Sequence, residues 1–300
     1  FYEKSSREFL SLFIGAHKKT IPVFSKKMAY YDEGNGDPII FIHGNPSSSY
    51  LWRNIAPNFF QSNRVIVPDL IGMGDSEKLD GIDNENYSFN GHYNFLNEFL
   101  ASISIGKNIH LVIHDWGCGL GLKYARLNSS IIKSITFMEG VTVPLSWNEW
   151  PDSGTKIFKL FRSDAGEELI LDKNFFVERI LLNDPLKPMT EETKIEYMRP
   201  FIEKGEGRRP TLSFPRNIPL DNEPGDTYEE IKLNEEFHSS SKIPKLFINA
   251  DPGFLLVGEQ RDRVRQWLNL IEVTVKGNHF IQEDSPEEIT NHIKEFIKNQ

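Results

Sequence analysis

Thiol chemistry is all but absent from this chain, whose 300 residues contain one cysteine, Cys118. One cysteine cannot close an internal disulfide, so the fold does not depend on an oxidising compartment, and it cannot supply a thiolate cluster for zinc. None of the eight histidines has the helical spacing of a zinc motif either. Long hydrophobic runs are missing: no stretch approaches the roughly 18–20 uninterrupted apolar residues of a membrane span. The segment Phe1 to Thr20 carries Lys4, Arg7 and Glu8 where a secretory signal needs a longer and cleaner apolar core. The chain opens on Phe rather than Met, which leaves room for a leader removed upstream. Basic blocks are lacking as well. The 34 Lys and Arg against 43 Asp and Glu leave a formal charge of −9, with nothing to neutralise a phosphate backbone or seek an anionic membrane surface. Neither nucleic acid nor a membrane is an expected partner, and the chain reads as a cytoplasmic protein, monomeric or weakly oligomeric. Two Asn-X-Ser acceptors, Asn86-Tyr87-Ser88 and Asn128-Ser129-Ser130, matter only in a secreted protein and are read as chance.

What the chain does have is 39% apolar residues spread along its length beside 26% charged ones, the composition of a folded globular protein long enough to bury a large core. Short β-rich runs alternate with segments of helical spacing. Ile21 to Phe24, Met28 to Tyr31, Pro38 to Ile42, Arg64 to Val67, Ile109 to Ile113 and Ile131 to Met138 read as strands, with helices over Tyr50 to Phe60, Phe89 to Ile103 and Trp116 to Leu127. The pattern stops after Glu139. Residues 140–220 hold almost no β-branched run but many aromatics, among short charged helices kept short by prolines. Alternation resumes with a helix over Thr227 to Phe237, strands Pro244 to Ile248 and Ile271 to Val275, and helices over Glu259 to Leu268 and Pro286 to Ile297. Alternating strand and helix mean parallel pairing with crossover helices. The expectation is one α/β core over residues 20–139 and 221–300, interrupted by a helical insertion over residues 140–220.

The chemistry concentrates at Val112-Ile113-His114-Asp115-Trp116-Gly117, where a strand turns sharply into a helix. A residue on such a turn presents its side chain above the sheet, and a small residue after it lets the helix approach closely. Asp115 stands where a hydrolase nucleophile would, with Ile113 in place of the usual first Gly. An ionised carboxylate needs no base to activate it and can displace a leaving group from an alkyl carbon, forming an ester; the alternative is that Asp115 merely caps the helix. His43-Gly44-Asn45-Pro46 follows the neighbouring strand, where such folds place half of an oxyanion hole. The Asn45 amide and the Trp116 indole are uncharged donors able to hold a departing halide. His279, after the last strand, stands where a general base belongs. Glu139 and Asp251 each end a strand, and either could orient His279. His114 is expected to point the other way as a satisfied core histidine. Gly72-Met73-Gly74 is a loop, because the third glycine of a dinucleotide fingerprint is replaced by Glu77. Arg261 to Arg265 reads as a solvated helix face.

With these residues in view, the chain resembles the haloalkane dehalogenases, in particular the branch that includes the Renilla-type luciferases. The resemblance runs from about Met28 to the C-terminus and rests on His43 to Asn54, Pro68 to Gly74, Val112 to Gly117 and Gln282-Glu283-Asp284. It implies an α/β-hydrolase fold, a mostly parallel central sheet flanked by helices with a helical cap insertion. It implies Asp115 as nucleophile, His279 as base, Glu139 rather than Asp251 as acid, and Asn45 with Trp116 as the halide-stabilising pair, with no cofactor and no metal. The substrate would be a small apolar organic molecule, a haloalkane that yields an alcohol and a halide ion, or coelenterazine in the luciferase alternative. Asn174 to Glu178, Glu203 to Glu206, Arg208 to Ser213 and Asp251 to Phe254 are more similar to the luciferase, whereas Pro144, Lys156 and Leu255 lean to the dehalogenases. Pocket candidates are Trp147, Phe158, Phe175, Phe176, Pro215 and Phe254. A binding protein that had lost its activity would show damage among the reacting residues, and all five are intact.

Overall fold

The computed structural model describes residues 17–80 and 87–300. The reading of the first residues as lacking a signal, and the acceptor Asn86, fall outside the described residues. Eight strands are present among them: β1 (Lys19–Val23), β2 (Lys26–Glu33), β3 (Pro38–Ile42), β4 (Arg64–Pro68), β5 (Ile109–Asp115), β6 (Ile132–Gly140), β7 (Lys245–Pro252) and β8 (Leu270–Gly277). They form one sheet in the order β1-β2-β4-β3-β5-β6-β7-β8. The β1–β2 and β2–β4 pairs are antiparallel and all others are parallel. Every residue of β3 and β5 is buried, as a strand covered by helices on both faces requires, which is why both read as apolar runs.

The flanking helices are α1 (Phe89–Ser102), α2 (Trp116–Leu127), and, after the insertion, α6 (Gly225–Ser240), α7 (Gly258–Val264), α8 (Ile281–Asp284) and α9 (Pro286–Lys298). The Ser88 hydroxyl accepts the Gly91 N–H and fixes the start of α1. The helix expected over Tyr50 to Phe60 is instead two 3₁₀ turns, Ser49–Trp52 and Ala56–Phe59. Pro57 has no N–H to continue an α-helical ladder across this stretch.

Between β6 and β7 the insertion contributes α3 (Asp152–Phe161), α4 (Glu191–Met198) and α5 (Arg209–Asn217), joined by two π-helical turns, Glu167–Asp172 and Phe176–Ile180. Pro215 lies inside α5 rather than ending it. A single apolar cluster runs from the sheet into this insertion through Trp150, Phe158, Phe161, Phe176 and Phe214. The Phe214 ring packs on Trp116 with centroids 5.5 Å apart, seating the insertion directly on the turn after β5. No helix among the described residues is long and apolar enough to cross a membrane.

Candidate active site

Asp115 sits between β5 and α2 with φ 52° and ψ −125°, a backbone conformation that non-glycine residues rarely adopt. Two glycines make that bend possible. A Cβ on Gly117 would lie 2.3 Å from the Ile42 carbonyl oxygen, so only glycine lets α2 begin against β3. A Cβ on Gly44 would lie 2.2 Å from Asp115 Oδ2. With that space open, the loop after β3 descends on the carboxylate and the Asn45 backbone N–H donates to Oδ2 at 2.6 Å. The Trp116 backbone N–H also donates to the Asp115 carboxylate. Beyond the N–H of that first residue, Asp115 makes no side-chain capping bond to α2, so the carboxylate is not spent on capping the helix.

Glu139 reaches the same place through a fault in the sheet. The β5–β6 register pairs His114 with Met138 and then Asp115 with Gly140, which leaves Glu139 as the extra residue of a bulge at φ 41°. A bulge re-aims a side chain, and here it sends a fully buried carboxylate toward the loop after β7. Oε2 accepts the N–H groups of Phe254 (3.0 Å) and Leu255 (2.7 Å), and Oε1 accepts that of Leu256 (3.2 Å). His279 Nδ1 lies 3.3 Å from Oε2, and its Nε2 lies 3.4 Å from Asp115 Oδ1. The imidazole thus bridges the two carboxylates. Asp251 is turned away from this chain of contacts: its side chain is 49% exposed and pairs with Lys276 on the surface.

Burial by itself would lower the basicity of His279. The hydrogen bonds and negative charges of Asp115 and Glu139 outweigh that cost and push its pKa up to about 10. Burial would raise the Asp115 pKa, and the His279 hydrogen bond and charge overcome it and hold the carboxyl below its usual range. His114 behaves differently from the expected satisfied core residue. Its Nε2–H donates to the His279 carbonyl oxygen at 2.8 Å, the two rings lie 4.8 Å apart, and its buried Nδ1 has no partner among the described residues. Burial and then the neighbouring His279 charge lower its pKa to about 3, so it supports the base as a neutral donor.

Above Asp115 opens a cavity of about 330 Å³, bordered by Asn45, Asp115, Trp116 and His279 at its floor. Among the described residues neither Asn45 Nδ2 nor Trp116 Nε1 donates to a protein acceptor, while Asn45 Oδ1 is buried with no partner. Two neutral N–H donors therefore border the cavity unspent, beside the Asp115 carboxylate. Phe158, Phe176, Pro215 and Phe254 line the walls. Trp147 and Phe175 do not. Trp147 lies under the cations of Lys159 and Arg162, at 5.1 and 5.9 Å from its ring. Phe175 packs against Phe161 instead, since adjacent residues at the start of a helical turn face different directions. The sequence reasoning missed Trp150, Ile180, Ile218, Leu255 and Asp184, which also line the cavity. Ser153, Gly154, Ile157 and Phe158 form the lining face of α3, and their i, i+3, i+4 spacing was the available signal. Nothing in the sequence flags Asp184.

Behind His279, Arg53 donates both terminal nitrogens to Glu283 at 2.6 Å, and the Tyr197 hydroxyl donates to the same carboxylate. This buried, bidentate pair ties α8, which follows His279, to the turn after β3 and to α4. Among the described residues no group of three or more His, Cys, Asp or Glu side chains is arranged to hold a metal ion.

The family model for the alpha/beta hydrolase fold matches residues 37–286. The chain is 48% identical to a haloalkane dehalogenase of Sphingobium indicum over 94% of its length and 95% of that protein's. It is 39% identical to coelenterazine h 2-monooxygenase of Renilla reniformis, over 94% of its length and 91% of that protein's. Among solved structures it is similar to haloalkane dehalogenase DbeA from Bradyrhizobium elkani, with a TM-score of 0.89, 32% identity, and coverage of 94% of this chain and 98% of the other.

Proposed function

Because the chain belongs to the haloalkane dehalogenase family of α/β-hydrolases, we propose that it cleaves carbon–halogen bonds hydrolytically, through an ester on Asp115, to give an alcohol and a halide ion. The observation that carries this reading is a strained, buried carboxylate bordering an apolar cavity beside two unspent neutral donors. Asp115 Oδ2 is held by the Asn45 backbone N–H, which leaves Oδ1 to attack carbon in line with the departing halogen. The electron pair of the breaking bond leaves on the halide, where the Asn45 amide and Trp116 indole donate to it. A water-poor apolar cavity strengthens those hydrogen bonds.

Ester formation removes the negative charge of Asp115, one of the two that hold His279 protonated. The imidazole pKa then falls toward neutrality, the ring gives up its proton to solvent as the acid equivalent released with the halide, and the neutral imidazole can take a proton from water. Hydroxide adds to the ester carbonyl carbon, and the negative charge of the adduct develops on Oδ2, where the Asn45 backbone N–H donates. Collapse expels the alcohol, which takes its proton from His279, and Asp115 is restored as carboxylate. Glu139 orients the imidazole through Nδ1 and stabilises its transient charge. The insertion over residues 140–220 acts as the cap that closes the cavity over the core of residues 20–139 and 221–300.

A second reading, oxidation of coelenterazine, draws on the aromatic wall of Trp150, Phe158, Phe176 and Phe254 and on the Renilla relative. The cavity volume of about 330 Å³ lies at the small end of ligand sites, about 300–1,000 Å³, and favours a short haloalkane. Assay with 1,2-dibromoethane and with coelenterazine separates the two. Halide release from the first is the expected result, and inactivity toward both refutes the enzyme reading.

A further inference from the structure

The loop that carries His279 is fastened to the insertion by two aspartates that face in opposite directions. Asp184, which follows the π-helical turn and borders the cavity, accepts the Phe280 N–H on Oδ2 at 2.8 Å and also the His279 N–H. Its own carbonyl oxygen accepts Asn278 Nδ2 at 2.6 Å. From the other side Asp284, at the end of α8, accepts the N–H groups of Leu186 (2.8 Å) and Lys187 (3.4 Å) on Oδ1 and that of Asn278 (3.3 Å) on Oδ2. Residues 278–284 of the core and 184–187 of the insertion thus exchange carboxylate acceptors across the seam between them.

We propose that Asp184 is a positioning residue for the hydrolytic half of the reaction, holding the backbone of His279 and Phe280 so that the imidazole keeps its place between Asp115 and Glu139. This rests on the function proposed above. His279 is attached to no regular element: it lies between the end of β8 at Gly277 and the start of α8 at Ile281. Among the described residues the polar contacts of its ring are those of 3.3 and 3.4 Å to the two carboxylates, both longer than strong charge-assisted bonds of about 2.7–2.9 Å, and the rings of His114 and Phe280 flank it at 4.8 Å. Polar contacts that long do not by themselves align the ring nitrogens, so their alignment depends on the backbone behind the ring as well as on the rings that flank it. That backbone is held by His114 at the His279 carbonyl, by Asp184 at the two N–H groups, and by the Arg53–Glu283 pair beyond α8. Burial raises the Asp184 pKa, and the His279 charge and the two N–H groups pull against it.

The first half of the reaction does not need this precision. Alkylation uses Asp115 and the donors of Asn45 and Trp116, none of which touches Asp184. Hydrolysis of the ester needs the imidazole aligned with one water, where a displacement of about 1 Å costs up to about 100-fold. The test is single-turnover reaction with 1,2-dibromoethane, following halide release and the decay of the alkyl-enzyme by intact mass. In Asp184→Ala the alkyl-enzyme is expected to decay about 10- to 100-fold more slowly, while release of the first equivalent of halide, which Asp184 touches only as part of the cavity wall, slows by a much smaller factor. Asp184→Asn keeps an acceptor oxygen for the Phe280 N–H and is expected to decay at an intermediate rate, which a loss of general stability does not predict. If Asp184→Ala does not fold, decay in Asp184→Asn that equals the wild-type rate overturns the proposal. In a folded Asp184→Ala, unchanged decay overturns it, and so does equal slowing of both halves. A wild-type protein that releases no halide refutes the functional reading and this proposal together; a wild-type protein that does, beside an unchanged variant, refutes the positioning role alone.

Discussion

Replacing Glu139 by Gln removes one charge from a buried cluster while changing shape very little, and the cost can be worked out from the bonds it breaks. The carboxylate accepts backbone N–H groups from Phe254, Leu255 and Leu256 and faces His279 Nδ1. An amide offers one acceptor oxygen and must set its NH₂ where the other oxygen stood. In the less costly orientation the NH₂ replaces Oε1 and faces the Leu256 N–H, leaving a buried donor unsatisfied at about 1–3 kcal/mol. The Phe254 and Leu255 bonds fall from charge-assisted to neutral, a loss of about 1 kcal/mol each. The sum is about 3–5 kcal/mol, large beside a domain stability of about 5–15 kcal/mol but short of preventing folding. The kinetic effect is more specific. The amide oxygen left opposite Nδ1 still accepts a hydrogen bond but carries no charge, so the imidazole loses the partner that stabilises its protonated form, and the enzyme should alkylate once and stop as the ester. Urea unfolding reads the first quantity, and rapid quench with intact-mass detection reads the second. Asp251→Asn is the control. Its half-exposed carboxylate and the Lys276 amine, 75% exposed, form a surface pair, which is worth about 0–1 kcal/mol. Ester accumulation in Asp251→Asn, or wild-type turnover in Glu139→Gln, refutes the assignment of the acid.

The remaining expectations are briefer. Asp115→Asn should abolish halide release while far-UV circular dichroism stays that of the wild type. Trp116→Phe removes one unspent donor at the cavity floor and should lower kcat/KM for a bromoalkane by about 10²-fold, the effect of deleting one donor to developing charge; steady-state halide release measures it. The folded-state pKa of His279, about 10, stands above its ordinary 6.5. Its contribution to stability is therefore complete below pH 6.5 and is lost as pH rises toward about 10, a total of a few kcal/mol. Denaturant unfolding across that window should show the decline, and Asp115→Asn, which removes a charge that raises this pKa, should flatten it.

Much of the core was legible in the sequence because buried parallel strands announce themselves as unbroken apolar runs, as Pro38 to Ile42 and Ile109 to Ile113 do. The strand-to-helix turn at Asp115 was legible too, but the turn alone left helix capping as an equal use of the residue, and only the loop at Asn45 and His279 favoured a nucleophile. The choice between Glu139 and Asp251 was not available from the residues alone, because both are carboxylates at strand ends. A one-residue register shift beside Met138 and the three N–H groups of the loop at Phe254 distinguish them, and both are tertiary facts. The insertion was the hardest to read. Its π-helical turns break the 3.6-residue spacing, so Phe175 and Phe176 could not be told apart, and Trp147 was placed at a cavity it does not touch. Asp184 gave no signal because its role depends on a loop almost a hundred residues further along the chain.

The central claim is that Asp115, not water, attacks the carbon, and the fate of one oxygen atom tests it directly. In a single turnover in oxygen-18 water with enzyme in excess over 1,2-dibromoethane, the account predicts an alcohol carrying the unlabelled oxygen of Asp115, with the label incorporated into the Asp115 carboxylate. An alcohol labelled in that first turnover, beside an unlabelled Asp115, would mean that water had displaced the halide and would contradict the account.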